Sequence, residues 1–261
     1  MEESFLGLLE YSIKTHWDLP SLTDYKGISY AYRDVARKVE KLRLWFEHAG
    51  IKKGDKIALC SRNSAHWGIA FIAILAHGAI AIPILHEFKP DNIHHIINHS
   101  EARLLFVGDN NWATLDHQHM PHLDGIIRME DYSIRHSRLT LLNQGSKKIN
   151  ELFEEKFQDS FTPDCINYPR EQQDDIAMIN YTSGTTSASK GVVLPYRSMW
   201  SNLRFALDKM GYHPGDKLVA ILTMAHMYGL AFEFIYPFAS GSQVYFLSKT
   251  PSPGVISEVF S

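Results

Sequence analysis

The sequence predicts an α/β fold with largely parallel sheets flanked by helices. Short apolar runs alternate along the chain with longer segments whose apolar residues recur every three or four positions. Gly, Pro and Asp stand at the borders between them. Apolar residues make up 45% of 261 residues, enough to bury a substantial core in one large domain or two smaller ones.

The opening MEESFLGLLEYSIKTHW is acidic, lacks a basic leader and reads as an amphipathic helix, not a signal peptide. ISYAYRDVARKVEKLRLWFEHAG begins as a short strand. Val35, Val39, Leu42, Phe46 and Ala49 then recur at helical spacing, and Gly50 closes the helix. GDKIALC is a strand behind a turn. Over residues 68–85 the run GIAFIAILAHGAIAIPIL is long enough and uncharged enough to suggest a membrane span. Gly78 interrupts it, Pro83 ends it, and Ser64 offers an N-cap. It therefore reads as a buried helix up to about His77, followed by a buried strand, AIAIP. PDNIHHIINHS is a helix, and ARLLFVG and DGIIRM are strands. Residues 131–169 are polar and mixed, with a helix around 149–157. DIAMINY is a buried strand, PYRSMWSNLRFALDKM a helix, DKLVAILTM a strand, YGLAFEFIYPFASG a helix and SQVYFLS a strand. No repeat of fixed period runs through the chain.

The formal net charge is −3 and no basic stripe is visible, which argues against a general nucleic-acid surface. The two cysteines, Cys60 and Cys165, stand far apart, which suits a reducing cytoplasm and not a disulfide framework.

Residues 180–194 read NYTSGTTSASKGVVL, with six Ser or Thr side chains, two glycines and one lysine between apolar runs. A strand entering such a turn, with a helix after it, exposes backbone N–H groups, and small residues let an anion approach closely. The hydroxyls of Thr182, Ser183, Thr185 and Thr186 add donors, and Lys190 adds a compact positive charge. This is the chemistry of a polyphosphate cradle. A solvated surface turn would explain the Ser and Thr, but not a lysine and glycines set directly behind a buried strand. A nucleoside-triphosphatase P-loop fails on spacing. With Gly184 as its first glycine, Ser189 falls where the second glycine is needed, and Gly191 where Ser or Thr is needed.

YTSGTTSASKGVVL resembles the phosphate-binding signature of the adenylate-forming superfamily, which includes acyl-CoA synthetases, nonribosomal peptide adenylation domains and beetle luciferases. The usual form is Y-T-S-G-T-T-G-x-P-K-G-V. Here Ser187 stands where glycine is usual, and Ser189 where proline is usual. The resemblance implies a phosphate loop at 181–191. ATP would be held there by Thr182, Ser183, Gly184, Thr185, Thr186, Ser187, Lys190 and Gly191. Lys190 would be catalytic, and Thr182 would stand near a magnesium ion carried by ATP. GIKKGDKIALCSRNSAHWGIAFIAILAHGAIAIPI is similar to the family's early segment. TMAHMYGL, residues 223–230, resembles the motif whose histidine and aromatic border the acyl pocket. By that match His226 is a second catalytic candidate near the acid's carboxylate, and Met227, Tyr228 and Gly229 help shape the pocket. A histidine without that motif around it would default to a satisfied core residue.

Among subgroups, ILHEFKPDNIHHIINHSEARLLFVGD and AHMYGLAFEF most resemble bacterial long-chain fatty-acid–CoA ligases. The resemblance implies ATP, Mg2+, a fatty acid and CoA as cofactor and substrates, a cytoplasmic location, and room for peripheral contact with the inner face of the membrane. The family's later adenine, ribose and magnesium motifs, and the C-terminal domain with its lysine, are not found by Ser261. The expectation is therefore a partial N-terminal domain over residues 1–261. Two other readings stand beside the ligase: a non-catalytic nucleotide-binding module, and an acyl-adenylate ligase that passes its product to a carrier protein. Fourteen histidines raise the question of a metal. His95 and His99 on a helix, and His117, His119 and His122 in a loop, lack the carboxylate or thiolate partners of a zinc site and read as solvated faces.

Overall fold

A computed structural model describes residues 4–158, 160–182 and 189–247, together with Gly254. The first elements are α1 (Phe5–Thr15), β1 (Pro20–Asp24), β2 (Ser29–Ala31), α2 (Tyr32–His48), β3 (Lys56–Cys60), α3 (Ala65–His77) and β4 (Ile80–Pro83). Then come α4 (Pro90–Ser100), β5 (Leu104–Val107), α5 (Asp109–Trp112), β6 (Gly125–Arg128), β7 (Ile134–Ser137) and α6 (Thr140–Phe157). The chain continues through β8 (Ile176–Thr182), β9 (Lys190–Pro195), α7 (Tyr196–Lys209) and β10 (Lys217–Ala220). A π-helical turn, Gly229–Ile235, leads into α8 (Tyr236–Ala239) and β11 (Gln243–Phe246).

Among the described residues the strands form two sheets. One has seven strands in the order β7-β6-β5-β3-β4-β8-β9, and the other four in the order β10-β11-β1-β2. The interior pairings β3–β4, β3–β5, β5–β6 and β4–β8 are parallel, as are β10–β11 and β1–β11. Antiparallel pairs close the edges: β6–β7, β8–β9 and β1–β2. The expected α/β fold with largely parallel sheets holds, the antiparallel pairs standing at the sheet edges.

Period-two alternation assigns each face of the large sheet. Ile57 and Leu59 of β3, with Leu104 and Phe106 of β5, enter the main core. Ala58, Cys60, Leu105 and Val107 enter a second core with Ile93, Ile96 and Ile97 of α4. Helices α3 and α4 thus cover opposite faces. The 68–85 run is a buried helix and strand, as its punctuation predicts. Ser64 caps α3 by accepting the Trp67 N–H at 3.1 Å, Gly78 ends it at φ 83°, and residues 65–76 are all buried. Among the described residues no helix is long and apolar enough to cross a membrane.

Several elements depart from the sequence reading. β1 and β7 are short strands that the sequence pattern did not mark, and α6 begins at Thr140 and not near Ile149. β10 stops at Ala220, so the segment read as its second half is not a strand.

Candidate functional site

β8 carries the chain to the carboxyl edge of the large sheet, where Thr182 is its last residue. The expected helix does not follow the turn directly. β9 returns first, antiparallel to β8, with Thr182 opposite Lys190 and Tyr181 opposite Gly191. Val192, Val193 and Leu194 favour this extended pairing, and the helix starts only at Tyr196, behind Pro195. Thr182, Lys190 and Gly191 are exposed at the mouth of the hairpin. Ser183, Gly184, Thr185, Thr186 and Ser187 lie outside the described residues.

The second predicted segment is brought against this hairpin. Asn180 of β8 donates from Nδ2 to the Ala225 carbonyl at 3.0 Å. Asn63, in the loop after β3, accepts the Met224 N–H at 2.8 Å and donates to the Leu222 carbonyl at 2.7 Å. Glu233, on the π-helical turn, accepts the N–H groups of Ile221 and Leu222 at 2.8 and 2.7 Å through one oxygen, Oε2. Burial pushes the Glu233 carboxyl above its ordinary value, and those two N–H groups oppose the shift.

Within the segment, the His226 N–H donates to the Thr223 carbonyl at 3.0 Å, and its carbonyl accepts from Leu230 at 2.9 Å. The side chains of His226 and Tyr228 are exposed, so His226 is not a core histidine. Met227 packs partly against the main core, and the Tyr228 ring lies 4.9 Å from that of Phe232. Gly229 is buried, and a Cβ there would stand 2.5 Å from the Thr223 carbonyl oxygen, so only glycine lets the backbone turn this closely.

Asn63, Asn180 and Glu233 were not singled out from sequence as site residues. A signal was present for Glu233, which is the one charge inside the apolar run GLAFEFIYPFA. Asn63 also lines a cavity of about 640 Å³ at the carboxyl ends of β3, β5 and β6, with Ser61, Arg62, Gly108, Asp109 and Glu130. β3 lies between β4 and β5 there, so the chain order reverses at that crevice, the usual place for ligands on open α/β sheets.

The histidines do not gather into a metal centre. His99 bonds through Nδ1 to the Tyr181 hydroxyl at 2.7 Å, tying α4 to β8. Among the described residues no three His, Cys, Asp or Glu side chains converge on a cation position. For magnesium, Thr182 offers one neutral oxygen, which is not a resident site by itself. An ion there would depend on the phosphates it arrives with.

Residues 9–260 match the AMP-binding enzyme family. The chain belongs to that family. Similar AMP-binding relatives include the long-chain-fatty-acid–CoA ligase of Salmonella typhimurium, 25% identical over 283 residues, covering 98% of this chain and 49% of that protein. Another is the 4-coumarate–CoA ligase-like 6 of Arabidopsis thaliana, 25% identical over 256 residues, covering 95% of this chain and 43% of that protein. The chain thus spans about half the length of the curated relatives it matches. Among solved structures, the anthranilate CoA ligase AuaEII in complex with anthranoyl-AMP superposes with a TM-score of 0.79 at 20% identity, over 99% of this chain and 47% of that one. The luciferase-like enzyme of the nonluminescent mealworm Zophobas morio gives 0.78 at 20% identity, over 98% and 57%. These superpositions show that the AMP-binding enzymes' N-terminal fold is shared.

Proposed function

We infer that this chain is the N-terminal portion of an ATP-dependent acid–thiol ligase acting on long-chain fatty acids. In that reading residues 181–191 hold the β- and γ-phosphates of ATP. The acid's carboxylate lies near His226 and attacks the α-phosphorus. Acyl-adenylate and pyrophosphate form, and the thiol of CoA then displaces AMP.

The observation that carries the reading is the Asn180–Ala225 hydrogen bond. It joins the strand that enters the hydroxyl-rich loop to the segment that bears His226 and Tyr228, which supports a reading in which the two substrates' ends lie side by side. Lys190, exposed opposite Thr182, supplies fixed positive charge where phosphate oxygens would lie. Holding both substrates in line is the main catalytic contribution of such a site. Magnesium bound to the phosphates would supply further charge neutralisation. The exposed apolar side chains of Ile221, Leu222 and Tyr228 suit an alkyl chain.

The test is ATP–pyrophosphate exchange by the natural full-length polypeptide, with fatty acids of graded length beside aromatic acids. Exchange should rise with alkyl length, and Tyr228→Ala should change the preferred length more than the KM for ATP. Preference for aromatic acids would replace the fatty-acid assignment, and no exchange with any carboxylate would remove the ligase reading. Thioester formation with CoA, and not with a carrier protein, should follow.

A further inference from the structure

We propose that Glu233, Asn63 and Asn180 are positioning residues for the acid, fixing the backbone of residues 221–225 and so aiming His226, Met227 and Tyr228. The proposal rests on the acid-site reading of that segment. β10 ends at Ala220, and the next two N–H groups, of Ile221 and Leu222, leave the sheet. Both go instead to one carboxyl oxygen of Glu233.

Glu233 reaches the segment from a π-helical turn, a rare geometry that recurs at functional sites. Leu230, Phe234 and Ile235 of that turn are buried, while Glu233 faces the segment. Asn63 uses both ends of its amide, one accepting and one donating, which fixes its orientation. Asn180 adds the third point from the strand that enters the phosphate loop. Side chains from three separate parts of the chain therefore bond four of the five residues 221–225.

The side chains of those residues argue that the clamp serves more than packing. Ile221 and Leu222 are 38% and 44% exposed although their N–H groups are tightly held. A clamp built only for stability would bury such apolar side chains. The Thr223 hydroxyl is shielded from solvent and has no hydrogen-bond partner among the described residues. Such an orphan is costly unless a further polar group reaches it.

The experiment uses the natural full-length polypeptide and reads amide hydrogen exchange over residues 220–226 together with steady-state adenylation. Glu233→Ala should speed exchange in that peptide and raise the KM for the acid, each by about tenfold or more, with the KM for ATP nearly unchanged. Glu233→Gln, which keeps an oxygen acceptor, should restore most of both. Asn63→Asp keeps the acceptor for Met224 but turns the donor to Leu222 into a second acceptor facing that carbonyl; it should give the same split, and decides the matter if Glu233→Ala fails to fold. Unchanged exchange overturns the clamp. Faster exchange with an unmoved acid KM, or with acid and ATP KM rising together, overturns its role toward the acid. Wild-type protein that adenylates no acid, yet shows faster exchange in Glu233→Ala, overturns the acid-site reading and leaves only a structural clamp.

Discussion

The imidazole of His66 is held at a pKa of about 4, below its ordinary 6.5, chiefly by burial and further by the Lys38 charge. Its Nε2 lies 3.3 Å from the Tyr30 hydroxyl, and its ring 5.0 Å from that of Tyr132. The unfolded chain therefore binds a proton at His66 before the folded chain does. The contribution to stability is intact above about pH 6.5 and is lost as pH falls toward about 4, by about 2 kcal/mol after solvent screening. His66→Gln should flatten the urea midpoint against pH across that window, and an unchanged slope would refute the assignment. Lys190 poses a different test, because it is exposed and stands opposite Thr182. Lys190→Ala should slow ATP–pyrophosphate exchange by about 10- to 100-fold. It should leave stability within about 0.5 kcal/mol. Wild-type exchange rates in the variant would take Lys190 out of the chemistry. The residue types of 180–191 are what suggest a phosphate loop in the sequence. Asn63, Asn180 and Glu233 do not, because their partners are backbone groups, and for Asn63 those partners lie about 160 residues away.

Among the elements, α6 crosses α2 at Gly145. A Cβ there would stand 2.6 Å from Trp45 Cδ1 and 3.0 Å from His48 Cδ2. Trp45 is 2% exposed and its Nε1 donates to the Leu142 carbonyl at 2.8 Å, so the ring has nowhere to go. Gly145→Ala gains about 1 kcal/mol of helix propensity. It loses about 1–3 kcal/mol to overpacking. A net fall in the denaturant midpoint is expected, and a rise would show that the helices can part at no cost. The same glycine hid the first half of α6 from the sequence, since Gly145 among polar residues looks like a loop until Trp45 is seen against it. β9 was hidden for a related reason. Val192 and Val193 are 46% and 52% exposed on an edge strand, so no inward-facing apolar pattern marks them as a strand. α3 was legible because Ser64, Gly78 and Pro83 punctuate it, and because its burial on every side leaves an unbroken apolar run. β10 was read too long because Ile221 and Leu222 look like strand residues, while their N–H groups go to Glu233.

At the scale of the molecule, α3 is the wall that both sheets share. Its residues join the main core together with Leu22, Val244 and Phe246 of the smaller sheet and Ile57, Leu59 and Phe106 of the larger. Phe71, fully buried, stacks on Trp67 at 5.4 Å and meets the Phe234 ring edge-on at 6.3 Å, below the π-helical turn that carries Glu233. Gly68 lies close enough to Phe234 that a Cβ would stand 3.0 Å from its ring, so helix and turn are in direct contact. A cavity at Phe71 should therefore weaken both sheets and loosen the floor beneath the π-helical turn. Phe71→Ala is expected to cost about 3–5 kcal/mol. The loss should appear as one cooperative transition, with buried Trp67 fluorescence and far-ultraviolet circular dichroism moving together, because neither sheet keeps its core without α3. Substitution of the exposed Phe205 on α7, by contrast, should change the midpoint little. Two separated transitions in Phe71→Ala, one sheet surviving the other, would show that the sheets fold on independent cores and that α3 belongs to only one of them.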